Sequence, residues 1–319
     1  MKRFKNIILV FDPKTTTKTA IVRAESLAKS NAARLMIFAV TREIPQGISK
    51  SFTIVSPKEL HDLVVKDYQQ KMDVLVSTMV KKGIKAKAKV VSGTPFLEII
   101  RQVLRAKHDL VIIAAEGKGR LTERLFGSTS MHLMRKCPCP VWVVKSSKSK
   151  RYMRVLAAVD TTDVFPDPEQ ESLNPLILQL ASSMANIDES ELHVVQAWSV
   201  YAEGYMSVRG GISDDAINEM RRFARRQYSS QVDNLLADTR LGSITVYKHL
   251  PRSEDVSNAI VSLAKSKKVD LLVMGTVCRT GVAGLIIGNT AEKVLNKVDC
   301  SVLTVKPEGF VTPVTLEDR

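Results

Sequence analysis

The chain is poor in cysteine and in aromatic side chains: 4 Cys, 2 Trp, 6 Tyr and 9 Phe among 319 residues. Four thiols exclude a disulfide-stapled scaffold, which packs cysteine far more densely. Cys137 and Cys139 flank Pro138, with no second Cys/His pair at ligand spacing, so they read as buried thiols at a strand start rather than half a zinc site. No apolar run reaches the ~18–20 residues of a membrane helix. The basic opening MKRFK leads into only about five apolar residues before Asp12-Pro13, too few for a signal-peptide core. That run is expected to be a first strand, and the protein is expected to be cytoplasmic. Also missing are G-x-x-x-x-G-K-[ST], G-x-G-x-x-G and H-E-x-x-H. The five histidines (His61, His108, His132, His193, His249) form no catalytic set with a nucleophile. The expectation is a non-enzyme with no metal centre.

What is present points to two ordinary globular domains. The chain length suits two cores, and 45% apolar with 25% charged residues is a globular composition. Charge is uneven. Residues 1–150 carry 29 Lys and Arg against 11 Asp and Glu, a net of +18, whereas residues 151–319 carry 18 against 22, a net of −4. A basic half attracts anionic partners, nucleic acid among them.

The organising feature is an internal repeat. Residues 270–306, DLLVMGTVCRTGVAGLIIGNTAEKVLNKVDCSVLTVK, match residues 109–145, DLVIIAAEGKGRLTERLFGSTSMHLMRKCPCPVWVVK, without a gap at an offset of 161. Gly127 falls on Gly288, Thr129 on Thr290 and Cys139 on Cys300. An ungapped self-match of this length marks a duplicated unit. Each copy reads strand, glycine-containing loop, helix start, helix, strand. A loop poor in side chains followed by a helix N-terminus leaves N–H groups facing an anion. Ser128, Thr129, Asn289 and Thr290 stand where a residue caps such a helix or donates to a phosphate.

The rest of each half supplies the other strands. KNIILVF (5–11) and RVLAAVD (154–160) are continuous apolar runs, as in a parallel strand covered on both faces. Helical spacing follows in TKTAIVRAESLAKSNA, and ARLMIFAV (33–40) is the second strand; 41–57 has no pattern. A long helix then stops at Gly83. IKAKAKVV (84–91) alternates Lys85, Lys87 and Lys89 with small residues, an edge strand whose lysines face water and discourage pairing; nucleic-acid binding is the alternative role for them. In the second half 163–175 reads as an insertion before the helix LILQLASSMA, and 199–211 as a long loop. Arg221, Arg222, Arg225 and Arg226 read as the wet face of the following helix. The alternation predicts α/β architecture: two tandem open parallel sheets, Rossmann-like, with boundaries at 1–146, 152–307 and a C-terminal tail 308–319. With strand order 3-2-1-4-5, strands 1 and 4 are neighbours at a topological switch point, where open α/β sheets bind ligands. Asp12 and Asp160, ending the first strands, then lie across a crevice from the loops. Lys118, Arg120 and Arg279 in those loops, and His132 behind the first, are candidates to meet a phosphate.

These residues resemble the universal stress protein family, whose ATP-binding members carry G-x2-G-x9-G-[ST] after the fourth strand. The likeness covers each half once. HVVQAW, GTVCRTG, GNTAEKV and the tail KPEGFVTPVTLED resemble the tandem, E-type branch in particular. The resemblance implies an adenine nucleotide alpha hydrolase-like fold and a role in stress tolerance, DNA damage included. It also implies association with other universal stress proteins, and pairing of the fifth strands, which in a tandem chain makes an internal pseudo-dimer. Carried over residue by residue, the motif falls on Gly117, Gly127, Ser128 and Thr129 in the first half and on Gly275, Gly288, Asn289 and Thr290 in the second. Ala114 replaces the first glycine of one copy and Cys278 the second glycine of the other. Gly275, Gly281, Gly284 and Gly288 keep the second loop more open, which makes the second half the preferred site. Three readings stand: a regulator binding ATP, with magnesium, at the switch points; a scaffold without ATP whose second half takes an amphipathic or nucleotide-linked ligand near Tyr205 and Met206; and a nucleic-acid-associated protein acting through its basic half.

Overall fold

The computed structural model describes residues 3–42, 56–115, 126–147, 149, 151–161, 168–208, 211–276 and 287–316. They form two compact units. Among described residues the first comprises those up to 149 together with the segment from Phe310 onward, and the second those from Arg151 to Gly309.

The first unit is a parallel sheet in the order β3-β2-β1-β4-β5, built from β1 (Asn6–Val10), β2 (Arg34–Thr41), β3 (Lys85–Ser92), β4 (Leu110–Ala114) and β5 (Val141–Val144). The apolar runs are central strands because both faces are covered: Ile7, Ile8, Leu9, Leu110, Val111 and Ile112 expose no surface. Each such side chain contributes about 1.5–3 kcal/mol by leaving water. At the edge, β3 pairs only with β2 among the described residues and turns Lys85, Lys87 and Lys89 outward, as the alternation predicts. Four helices connect the strands: α1 (Lys18–Asn31), α2 (Pro57–Lys81), α3 (Pro95–Ala106) and α4 (Ser128–Lys136). Local chemistry sets their ends. Thr17 caps α1 by accepting from the Ala20 N–H. Ser56 and Glu59 form a reciprocal capping box on α2. Gly83 stops that helix in the left-handed region at φ +81°.

The second unit repeats the plan. Its strands β6 (Arg154–Ala158), β7 (Glu191–Val195), β8 (Val246–His249), β9 (Leu271–Gly275) and β10 (Ser301–Val305) lie in the order β8-β7-β6-β9-β10, again parallel. Its helices are α5 (Pro168–Asp188), α6 (Glu203–Val208), α7 (Asp214–Ala237), α8 (Val256–Ser266) and α9 (Asn289–Lys297).

Two expectations are corrected here. The helix expected to begin near Leu176 starts at Pro168 and carries Pro175 inside it. Much of the supposed insertion is therefore helix: Leu173, Ile177 and Leu178 are buried on one side, and that burial outweighs the proline penalty. The stretch 199–211 is also not all loop. It holds α6, fastened to α7 where Glu203 accepts from Arg221 Nε at 2.7 Å and from Arg252 at 3.2 Å. Arg221 is thus an anchor, while Arg222, Arg225 and Arg226 face water as expected. No described helix is long and apolar enough to cross a membrane.

Candidate functional site

In both units the first and fourth strands are neighbours, β1 beside β4 and β6 beside β9. The chain reverses its winding between them, so each sheet has a switch point at its carboxyl edge. Gly117, Lys118, Arg120, Cys278, Arg279, Gly281 and Gly284 lie outside the described residues. What is described is the frame on either side of the loops.

In the first unit that frame encloses a cavity of about 440 Å³ lined by Arg42, Gly93, Thr94, Pro95, Phe96, Ser128, Thr129 and His132. Arg42 follows the end of β2, Gly93 and Thr94 join β3 to α3, and Ser128 and Thr129 open α4. Two helix N-termini therefore meet at one opening. Neither carries a side-chain cap: Thr94 makes none, and Gly127, at φ −75°, has no side chain to offer. The opening N–H groups of a helix carry partial positive charge, and two such ends beside a guanidinium make a field suited to an anion. The sequence-predicted Gly127, Ser128 and Thr129 come together here with His132, whose ring stacks on Phe96 with centroids 4.3 Å apart. Lys136 Nζ also lies over that phenyl ring, 5.1 Å from its centroid. Burial first, then Lys136 and Arg135, lower the His132 pKa, so the ring is neutral at pH 7. Asp12 is turned to its own chain: Oδ1 accepts from the Lys14 N–H at 2.7 Å, and its own N–H donates to Thr16 Oγ1 at 2.8 Å.

The second unit furnishes its switch point differently. The Asp160 backbone is bracketed by Asn174, which accepts from its N–H at 3.0 Å and donates to its carbonyl at 2.7 Å. Thr161 is held by Gln196 and Gln231. Gly275 meets the side chain of α5: a Cβ there would lie 2.5 Å from Leu173 Cδ2. Beyond it, buried Thr276 accepts from buried Lys306 Nζ at 2.6 Å. Gly288 sits at φ −59°, and α9 begins at Asn289 without a side-chain cap. The neighbouring α8, counterpart of α3, is capped: Asp255 accepts from the Asn258 N–H at 3.1 Å. That carboxylate satisfies the helix end and repels a second anion.

Several of these residues were not picked out by sequence reading. Arg42 precedes a stretch with no periodicity, so nothing marked it. Phe96 looked like one more apolar residue of α3. Gln196 did leave a signal, as an amide inside the apolar run HVVQAW, and it is 2% exposed.

Comparison with known proteins agrees with this duplicated frame. The model of the universal stress protein family matches residues 3–145 and again 151–306. Universal stress protein E of Escherichia coli (strain K12) is 29% identical over 331 residues, covering all of this chain and 99% of that protein. The universal stress protein E homolog of Haemophilus influenzae is 25% identical over 96% of this chain and 98% of its own length. Among solved structures, a functionally unknown protein of Pseudomonas aeruginosa PAO1 superposes with a TM-score of 0.70 at 22% identity, covering 97% of this chain and 95% of that one. A universal stress protein from Archaeoglobus fulgidus DSM 4304 gives 0.62 at 17% identity over 96% and 98%. With its family domain present twice, its fold shared with these structures and its length spanned by E-type relatives, the chain belongs to the universal stress protein family, in tandem E-type form.

Proposed function

We propose that this stress-response family member is a non-catalytic regulator that binds the phosphate end of an adenine nucleotide at the carboxyl edge of its first unit. The observation that carries the reading is the convergence of two uncapped helix N-termini, of α3 and α4, on one cavity with Arg42, Ser128 and Thr129. Backbone N–H groups and helix dipoles favour a phosphate without needing a dedicated catalytic side chain. In sequence, Gly117, Lys118 and Arg120 fall between β4 and this helix start.

A second reading concerns the other unit. The Asp255 cap on α8 and the close seat of Leu173 over Gly275 favour a ligand there other than a nucleoside triphosphate, or none. The amphipathic or nucleotide-linked ligand belongs to this reading, with Tyr205 63% exposed on nearby α6.

Thermal melting of the full chain with ATP and magnesium tests the proposal. A ligand that binds only the folded state raises the midpoint with concentration. An upward shift that Arg42→Ala removes supports the first-unit site; no shift at millimolar nucleotide overturns nucleotide binding. Identifying by mass what leaves the protein on gentle denaturation reports on the second unit.

A further inference from the structure

The switch points do not account for a polar face elsewhere on the second sheet. Period-two alternation puts Glu191 and His193 of β7 on one face, and the register sets them beside Arg154 of β6 and Tyr247 and His249 of β8. These five side chains, with Ser266 at the end of α8 and Lys267 and Lys268 just past it, line a separate cavity of about 440 Å³. The sheet face there is polar where a covering helix would demand leucine and valine.

The groups are connected. His193 is 4% exposed, and its Nδ1 lies 2.8 Å from His249 Nε2. Its ring meets that of His249 edge to edge, with centroids 5.1 Å apart, and lies nearly parallel to the ring of Tyr247, with centroids 5.0 Å apart. On its far side Nε2 lies 3.4 Å from Glu191 Oε2 without making a hydrogen bond, and that carboxylate is held by Arg154 Nε at 3.2 Å. Glu191 is the single acid in the lining and is paired with Arg154. Around it stand Arg154, Lys267 and Lys268, so the cavity carries a formal net charge of +2 with both imidazoles neutral. This occurs in the half of the chain whose net charge is −4.

We infer that this cavity is a binding site for a small dianion of the phosphate-monoester type, distinct from the switch-point sites. The cations supply charge and donors, Ser266 supplies a hydroxyl, and the exposed face of Tyr247 offers a platform for an organic moiety. The space suits a small molecule. The histidine pair couples binding to protons. Burial comes first in holding both imidazoles below their ordinary pKa; for His193 the Lys267 and Arg154 charges add to it while Glu191 opposes, and for His249 the His193 and Lys267 charges add to it. The pair shares one N–H···N bond and accepts one further proton without breaking it; a second proton would set two N–H groups against each other. A bound dianion offsets Lys267 and Lys268 and raises the pair's pKa, so a ligand that keeps both its charges takes up a proton on binding and binds more tightly as pH falls through that raised pKa.

Isothermal titration of the full chain with inorganic sulfate, a tetrahedral dianion that stands in for the phosphate group and stays fully ionised near neutral pH, in two buffers of different ionisation heat, tests this. Saturable binding with net proton uptake is expected. Lys267→Ala with Lys268→Ala, both exposed positions, should weaken it roughly tenfold or more. His249→Gln should remove most of the proton uptake while leaving measurable affinity. Acetate, a monoanion, should bind far more weakly. Sulfate binding that the double lysine variant leaves unchanged belongs to another site and overturns the inference, as does the absence of saturable heat. Because Arg42→Ala acts only on the first unit, failure here and failure of the nucleotide reading give different results.

Discussion

Gly275 illustrates how one residue type serves different needs. In sequence it opens a phosphate-loop pattern; in the folded chain the space a Cβ would take belongs to Leu173, itself buried among the residues of α5. Its counterpart Ala114 carries a methyl group and is 3% exposed, so the first unit accommodates a side chain at this position. Gly275→Ala is expected to destabilise the protein by about 1–3 kcal/mol, the usual cost of overpacking a filled core. Combining it with Leu173→Ala should be less destabilising than the sum of the two single changes. Urea unfolding of the four proteins measures that coupling; strict additivity would mean the two side chains do not compete for the same space.

At the scale of elements, helix ends decide where an anion is welcome. The α4 N-terminus starts at a glycine whose φ of −75° and ψ of 173° any residue adopts. Gly127→Asp should therefore be tolerated, stabilise α4 by roughly 0.5–1 kcal/mol through a carboxylate cap, and abolish the proposed nucleotide shift. A variant that melts higher and still responds to ATP would detach the ligand from this helix end. The short α6 makes a second case. Six residues do not hold a helix in water by themselves, and α6 is held by the Glu203 carboxylate, whose side chain is only 15% exposed. Glu203→Gln leaves Arg221 without its charge partner, and faster amide exchange confined to 203–208 and the facing turn of α7 is the expected result.

For the whole molecule, proton balance follows from four histidines shifted the same way. His108 and His132 in the first unit, and His193 and His249 in the second, are all held below the ordinary imidazole pKa, with burial the first cause in each. The unfolded chain then binds more protons than the folded one between the lowered values and about 6.5. Stability is full above that range and falls as pH drops through it, so the urea midpoint should decline from pH 7 to pH 5. His108→Gln should flatten the slope; an unchanged slope would assign the loss to other groups. Glu59 and Asp255, whose pKa values are lowered by hydrogen bonds at helix starts, act in a separate window at lower pH, where protonation removes their caps. The excess of positive charge in residues 1–150 adds one further check at this scale. Nucleic-acid binding through that half would weaken steeply with salt, and binding that is absent or indifferent to salt removes that role.

The duplication, the parallel strands and their order were legible in sequence, because buried strands must be apolar throughout and a repeat fold must repeat its pattern. The lysines of β3 announced an edge for the same reason. Helix starts were less legible: the true beginning of α5 lay among prolines and acids, since tertiary burial of Leu173 and Ile177 outweighed local preference. Of the candidate site, the sequence singled out Gly127, Ser128 and Thr129. Only the tertiary structure added Arg42, Phe96 and the uncapped end of α3, which lie some 30 to 90 residues away in the chain. It alone set His193 beside His249, because which charges share a cavity depends on strand register and on where a helix stops covering the sheet. Local pattern determines what each segment becomes; proximity between distant side chains exists only once the sheet has formed.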